Sequence, residues 1–378
     1  MPDTSPQLLA IVLTFDQLPC AALGCYGNEW IDTPHFNRLA ANGFVFDAHV
    51  ARSIEGNIWL NEPADWWSAL TGTDVHPLQI REVNSPFPWD RAEWANVVCV
   101  EGRDGRDVPP REWPFAALLR AGSDWLARTA EKHPRRLLWL HSAGVPSHCE
   151  VPTEVESLYV DEFADRGVAW SELSEEQRSR HPAVQAAYVS CLDHILGEFL
   201  ETLTGQPLLI AIAALHGGYW QTIPRRCDLP RRKEAQWLRS PAIWCLFDAA
   251  RAILPGRSPA LVQPMDLGPT LLEWFEPSLR DSGPGLSLWP IFEGTAPRVR
   301  EAALIDGGVL WTEHDVTVLT EPSLDPATIR RFLWPEDLWQ VNDVAPLTPD
   351  VVAERVAWLH EHGKTPACGG VTGETSGS

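Results

Sequence analysis

Residues 8–16 read LLAIVLTFD: an uncharged run from Leu8 to Thr14 that ends at Phe15 and Asp16. Such a short continuous run suits a strand covered on both faces, and it places Asp16 at the strand's carboxyl edge. Three further stretches have the same character: Leu137 to His141 (LLWLH), Leu208 to Leu215 (LLIAIAAL, followed by His216-Gly217-Gly218) and Ala242 to Phe247 (AIWCLF). Helical spacing runs from Trp113 to Lys132. It is clearest from Ala187 to Leu203, where apolar residues fall at 188, 191, 192, 195, 196, 199, 200 and 203 before Gly205. A further helix is predicted from Met265 to Phe275 after a Pro264 boundary. Nearer the start, Thr33 reads as an N-cap, Pro34 as N1 and Gly43 as the C-cap of a short helix, with a strand from Phe44 to Val50 directly after it.

Strands alternating with helices predict a three-layer α/β/α sandwich around a mostly parallel sheet. Ligands of such sheets bind at the carboxyl ends of strands, where Asp16, His141 and His216 all fall. Beyond about residue 295 the pattern shortens to strand-like pieces at Ala302–Ile305, Val309–Thr312 and Val316–Leu319, and a helix at Pro349–His362. The expected division is a main α/β domain over 1–295, a small α+β subdomain over 296–365 and a flexible tail over 366–378.

Composition narrows the function classes. With 44% hydrophobic residues the chain can build a large core, yet its longest wholly apolar run, the eight residues Leu208 to Leu215, is far short of a membrane span. A net charge of −21 repels polyanions, so neither nucleic acid nor an anionic membrane is an expected partner. The start lacks the basic region of a secretion signal and predicts a cytoplasmic protein. Eight cysteines without a CxxC pair, several in apolar runs, read as reduced buried thiols rather than a disulfide framework or zinc site. The 19 tryptophans are assigned to packing and the 33 prolines to ordered loops.

The order of motifs resembles the sulfatase family of the alkaline-phosphatase superfamily over nearly the whole chain. The matching stretches are LLAIVLTFDQLPCAALGCYGN, DTPHFNRLAANGFVFDAHV, SALTG (68–72), the helix and strand ending in HGG (185–218), LRSPAIW (238–244), MDLGPTLLEWF with GLSLWPIFEG (265–294), and LWPEDLWQVNDVA. The resemblance implies sulfuric ester hydrolysis with a divalent cation, Ca²⁺ or Mg²⁺, and a formylglycine made from a Cys or Ser just before the Thr-Gly. A hydrated aldehyde offers one hydroxyl to attack sulfur and a second to expel sulfate, while a cation held by hard oxygens stabilises the developing charge.

Here that segment, Ile54 to Trp67 (IEGNIWLNEPADWW), contains no Cys, Ser or Thr, and the family's following Arg is absent. Counting back from Thr71-Gly72 puts the nucleophile at Asn61 or Glu62; counting forward from Phe46 puts it near Gly56. Of the metal ligands the resemblance implies, Asp16 and Gln17 match the first two positions and His216 a third, but the carboxylate that should precede the histidine is Leu215. Pro146 falls at the family's substrate-contacting His, with His148 two residues on as a substitute. Arg231, Arg232 and Lys233 are candidates for the cationic contact.

Glu62, Asp65 and His148 are therefore the candidate catalytic groups, and Asp16 and His216 the inherited metal positions. His141 reads as a satisfied strand-end histidine, and Trp66 and Trp67 as filling the space left by the missing Arg and substrate. These departures predict an impaired or silent relative that keeps a cleft for a small-molecule ester or a protein partner, with no cofactor other than the family's cation. The alternative is an active metal-dependent hydrolase of sulfate or phosphate esters using Asp16, His216 and either Glu62 or Asp65 without formylglycine.

Overall fold

The structure is a computed structural model that describes residues 7–54, 64–83, 97–160, 173–179, 181–203, 208–218, 229–247, 253–281, 285–320 and 328–362, with Ala64 and Asp65 described by backbone alone. Its helices and strands, in chain order, are β1 (Leu8–Gln17), α1 (Pro34–Asn42), β2 (Phe44–His49), α2 (Ala64–Thr71), β3 (His76–Glu82), β4 (Val97–Val100), α3 (Pro114–Thr129), β5 (Arg135–Gly144), α4 (Thr153–Val160), α5 (Glu175–Ser179), α6 (Pro182–Glu201) and β6 (Leu208–His216). They continue with α7 (Ala235–Leu238), β7 (Ala242–Phe247), β8 (Gly256–Val262), α8 (Leu267–Phe275), α9 (Trp289–Phe292), β9 (Ala302–Ile305), β10 (Val309–Thr312), β11 (Asp315–Leu319), β12 (Ile329–Leu333) and α10 (Pro349–His362).

The first eight strands form one sheet in the order β4-β3-β5-β1-β6-β7-β2-β8, parallel throughout except for β7, which runs against both neighbours. β1, the run that decided the fold, lies at its centre between β5 and β6. Strand alternation then sorts its side chains into two layers. Leu9, Ile11, Leu13 and Phe15 pack with α1, α3 and α6, whereas Ala10 and Val12 pack with Trp66 and Trp67 of α2 and with α8 and α9. This is the predicted three-layer α/β/α sandwich with a mostly parallel sheet.

The second sheet is antiparallel, in the order β12-β11-β10-β9. Ile305, Val309, Trp311 and Phe332 of this sheet bury themselves against Ala48 and Leu261 of the first sheet and Trp237 and Leu238 of α7. Among the described residues no helix is long and apolar enough to cross a membrane.

Thr33 and Gly43 take the predicted N-cap and C-cap positions of α1, but the Thr33 side chain makes no cap hydrogen bond: its hydroxyl accepts the Gly24 N–H at 3.0 Å. The first-turn N–H groups are instead accepted by Asp193 of α6, from Phe36 at 2.8 Å and from His35 at 3.1 Å, a long-range partner that local sequence cannot reveal. Gly43 is extended rather than left-handed, with φ −133°. A side chain there would collide with the Trp244 carbonyl and the Cys245 thiol, so close approach of β7 is what requires glycine.

Candidate functional site at the carboxyl edge of the sheet

Because β7 is reversed, the carboxyl ends of β1, β3, β5, β6, β2 and β8 share one edge with the start of β7. On β1 that edge carries Asp16 and Gln17, both partly buried. Asp16 makes no hydrogen bond or ion pair with any described residue, and burial alone pushes its carboxyl up to about 6.

Register separates the two inherited metal positions. Gln17 is the partner of His216 across β1 and β6. Alternation therefore puts Asp16 on the opposite face, with Leu215, which is 1% exposed in the same apolar layer as Trp66 and Trp67.

His216 is buried, its ring stacked on Trp237 at 4.1 Å and 19°, and its Nδ1 has no hydrogen-bond partner. Desolvation, with a smaller contribution from Arg232, lowers it to about 3, so the ring is neutral at physiological pH. Gly217 and Gly218 do suit close approach. A side chain on Gly217 would collide with the carbonyls of Gln236 and Arg239, and Gly218 has φ +72° beside the Gln17 amide.

Of the three cationic candidates, Arg232 has its guanidinium 5.9 Å from the Trp237 ring on which His216 stacks, and Lys233 donates to the Leu319 carbonyl at 2.6 Å; Arg231 and Arg232 are both exposed.

His141 is fully buried and shares a 2.8 Å hydrogen bond with the Thr14 hydroxyl, which also accepts the Trp139 indole N–H at 2.8 Å. β5 continues to Gly144, so His141 lies within the strand rather than at its end, where the sequence placed it. His148 is exposed and bonded to its neighbour Ser147 at 3.1 Å; it lines a depression of about 530 Å³ with Asp104, Glu150, Glu175, Glu176 and Ser179, none of which is an inherited site position. Glu62 and the Asp65 side chain lie outside the described residues, as do Gly56 and Asn61.

Trp66 and Trp67 are 3% and 2% exposed. Trp66 is wedged between Trp139, stacked at 5.4 Å, and Gly268, whose missing Cβ makes the room. Both tryptophans lie in the apolar layer that also holds Trp139 and Leu215.

Sequence reading missed Glu82, at the tip of β3. It is 5% exposed, with Oε2 accepting the Ala143 N–H at 3.0 Å, Oε1 without a partner, and the carboxyl pushed up to about 7 by burial. Its strand reads HPLQIRE, too polar to register as buried.

The described donors do not fit a hard divalent cation: the inherited positions offer one carboxylate, one amide and one imidazole, and no group of three or more His, Cys, Asp or Glu that could hold a metal occurs among the described residues.

No family model matches the sequence, and no curated protein matches it. Solved structures do match. Ps i-CgsB, solved with k-i-k-neocarrahexaose, aligns at a TM-score of 0.69 and 13% identity, covering 94% of this chain and 92% of that one. The phosphonate monoester hydrolase of Agrobacterium radiobacter aligns at 0.63 and 14% identity, covering 94% of each chain. A 2-O GAG sulfatase aligns at 0.63 and 13%, covering 94% and 92%. The chain therefore has a sulfatase-like α/β fold, matched over about 94% of its length.

Proposed function

We propose that this chain is a sulfatase-fold protein whose ester-hydrolysing site has degenerated into a silent or strongly impaired one that retains a cleft at the carboxyl edge. The observation that carries the reading is Leu215 at the position expected to supply the second carboxylate, sealed in hydrocarbon with Trp66 and Trp67. Of the four inherited positions 16, 17, 215 and 216, only Asp16 then offers a carboxylate, too few oxygens for Mg²⁺ or Ca²⁺. The sequence adds that residues 54–67 hold no Cys, Ser or Thr to become a nucleophile. Six described cysteines, all free, suit a reducing compartment such as the cytoplasm.

The test is metal analysis of the purified protein combined with a screen of aryl sulfates, phosphates and phosphonates in the presence of Mg²⁺ or Ca²⁺. The expected result is no stoichiometric metal and no turnover. Release of sulfate or phosphate that disappears in Asp16→Ala would overturn the reading and install the alternative, a metal-dependent hydrolase working through Asp16 and His216 with Glu62 or Asp65.

A further inference from the structure

Adjoining the inherited site but not including it, two cavities of about 400 and 700 Å³ meet at Tyr26, Arg239 and Leu338, at the seam between the large sheet and the segment following β12. We propose that this two-lobed groove binds a small organic monoanion with a planar apolar body, its anionic head on Arg239 and its body in the smaller lobe beside Trp30 and Trp339. Neither Asp16 nor His216 lines it, so the inference stands or falls independently of the function proposed above.

Arg239 is held in place before any ligand arrives. Its Nε donates to the Asp47 carbonyl at 2.6 Å, and its guanidinium lies 5.4 Å from the Tyr26 ring and 5.7 Å from the Trp334 ring. Tyr26 is fixed in turn, its hydroxyl donating to the Phe46 carbonyl at 3.0 Å and accepting the Ala242 N–H at 2.9 Å.

The neighbouring arginines are neutralised. Arg257 pairs with Asp47, and Arg298 with Glu313 at 2.8 Å and Glu301 at 3.2 Å. Arg239 makes no ion pair with any described residue, although acidic residues outnumber basic ones by 51 to 30 in this chain. A guanidinium fork that is prepositioned, partly exposed and unneutralised matches a carboxylate, sulfate or sulfonate head.

The body of the ligand is specified by the walls. Trp339 leaves 42% of its surface exposed at the smaller lobe, where Trp30 and Leu338 add apolar surface. Exposed Glu29 on the same lobe penalises a second negative charge. A volume of about 400 Å³ is that of ordinary small-molecule sites.

The experiment is calorimetric titration with naphthalene-2-sulfonate, alongside the uncharged naphthalene-2-sulfonamide, on the parent and on the Trp339→Ala and Arg239→Gln variants, each first checked for parental circular dichroism. The expected result is saturable one-to-one binding of the sulfonate, weakened about ten-fold or more in either variant and in the sulfonamide, where ten-fold corresponds to about 1.4 kcal/mol. Arg239 also supports its surroundings, so if Arg239→Gln fails to fold, exposed Trp339 decides the matter. Parental affinity in Trp339→Ala, equal affinity for sulfonamide and sulfonate, or no saturable binding at millimolar concentration would each overturn the proposal.

Discussion

The carboxyl edge of the large sheet is finished at one end and open at the other. Around β2 and β8 the buried polar groups close on one another. His49 Nδ1 shares a 2.8 Å hydrogen bond with the Ser240 hydroxyl, which also donates to the Ala214 carbonyl at 2.7 Å. Asp266 accepts the backbone N–H groups of Gln263 at 2.8 Å and Leu286 at 2.9 Å and pairs with Arg300, which also reaches the Gln263 amide oxygen at 3.0 Å. Around β1, β3 and β6 the opposite holds: the Asp16 carboxylate, His216 Nδ1 and Glu82 Oε1 have no hydrogen-bond partner among the described residues. Buried polar groups are almost always satisfied, so the closed end has the pattern of a structural network, and the open end is where the function proposed above would have its cleft.

The comparison breaks most sharply at Asp266. Replacing it with Ala strands Arg300 in the interior, and losing one partner of a buried pair costs about 3–5 kcal/mol. Urea unfolding should show that loss, and Asp266→Ala with Arg300→Met should recover much of it because no unpaired charge remains. A loss under about 1 kcal/mol for Asp266→Ala would mean that the closed network contributes little, and the contrast with the open end would fail.

Glu82 tests the open end with the reverse sign. Its folded pKa, about 7, lies above the ordinary 4.5, so the native state holds the proton more tightly than the unfolded chain does. Stability is therefore highest below the ordinary value, declines as pH rises between the two, and stays reduced above about 7. Glu82→Gln removes the charge and should stabilise the protein by about 2–3 kcal/mol near pH 8, at roughly 1.4 kcal/mol per pH unit, with the gain fading towards about pH 4. Thermal melts of both proteins across that range decide it; a destabilised variant at alkaline pH would mean that an unseen donor or cation holds the carboxylate.

How much was legible follows the same physics. Strands buried on both faces announce themselves as unbroken apolar runs, so β6 and β7 were read within a residue of their observed bounds, β1 from its first residue with the apolar run ending at Thr14 and the strand at Gln17, and β5 at its apolar centre. β3 (HPLQIRE), β8 (GRSPALV) and β12 (IRRFL) escaped because proline, glutamine or arginine interrupts the pattern. Tertiary context then buries what local propensity would expose: Gln79 of β3 is wholly buried opposite Trp139, and Arg331 of β12 pairs with Asp315 at 2.8 Å. At the site, the residue types at 16, 215 and 216 could be read directly. The register that sets Asp16 and His216 on different faces could not, because a one-residue difference in pairing reverses every side chain and leaves no trace in composition. Glu82 likewise became visible only once β3 was seated beside β5.

The smallest effect bears most closely on function. Asp16 is pushed up to about 6 from 3.8 by burial, so its charge also costs stability above that pH and costs nothing once the group is protonated. Because it is partly exposed, Asp16→Asn should gain only about 1 kcal/mol near pH 8, with no gain near pH 4. A working metal position behaves differently. Cation binding stabilises the native state by RT ln(1 + [L]/Kd), about 2.7 kcal/mol at a hundred-fold excess over Kd, and the carboxylate is what the cation binds. Millimolar Mg²⁺ or Ca²⁺ would then raise the parent's melting temperature and leave Asp16→Asn unmoved, turning the variant's advantage into a deficit. With Leu215 where a second carboxylate is needed, the cations should shift parent and variant equally, and Asp16→Asn should keep its small lead at every metal concentration.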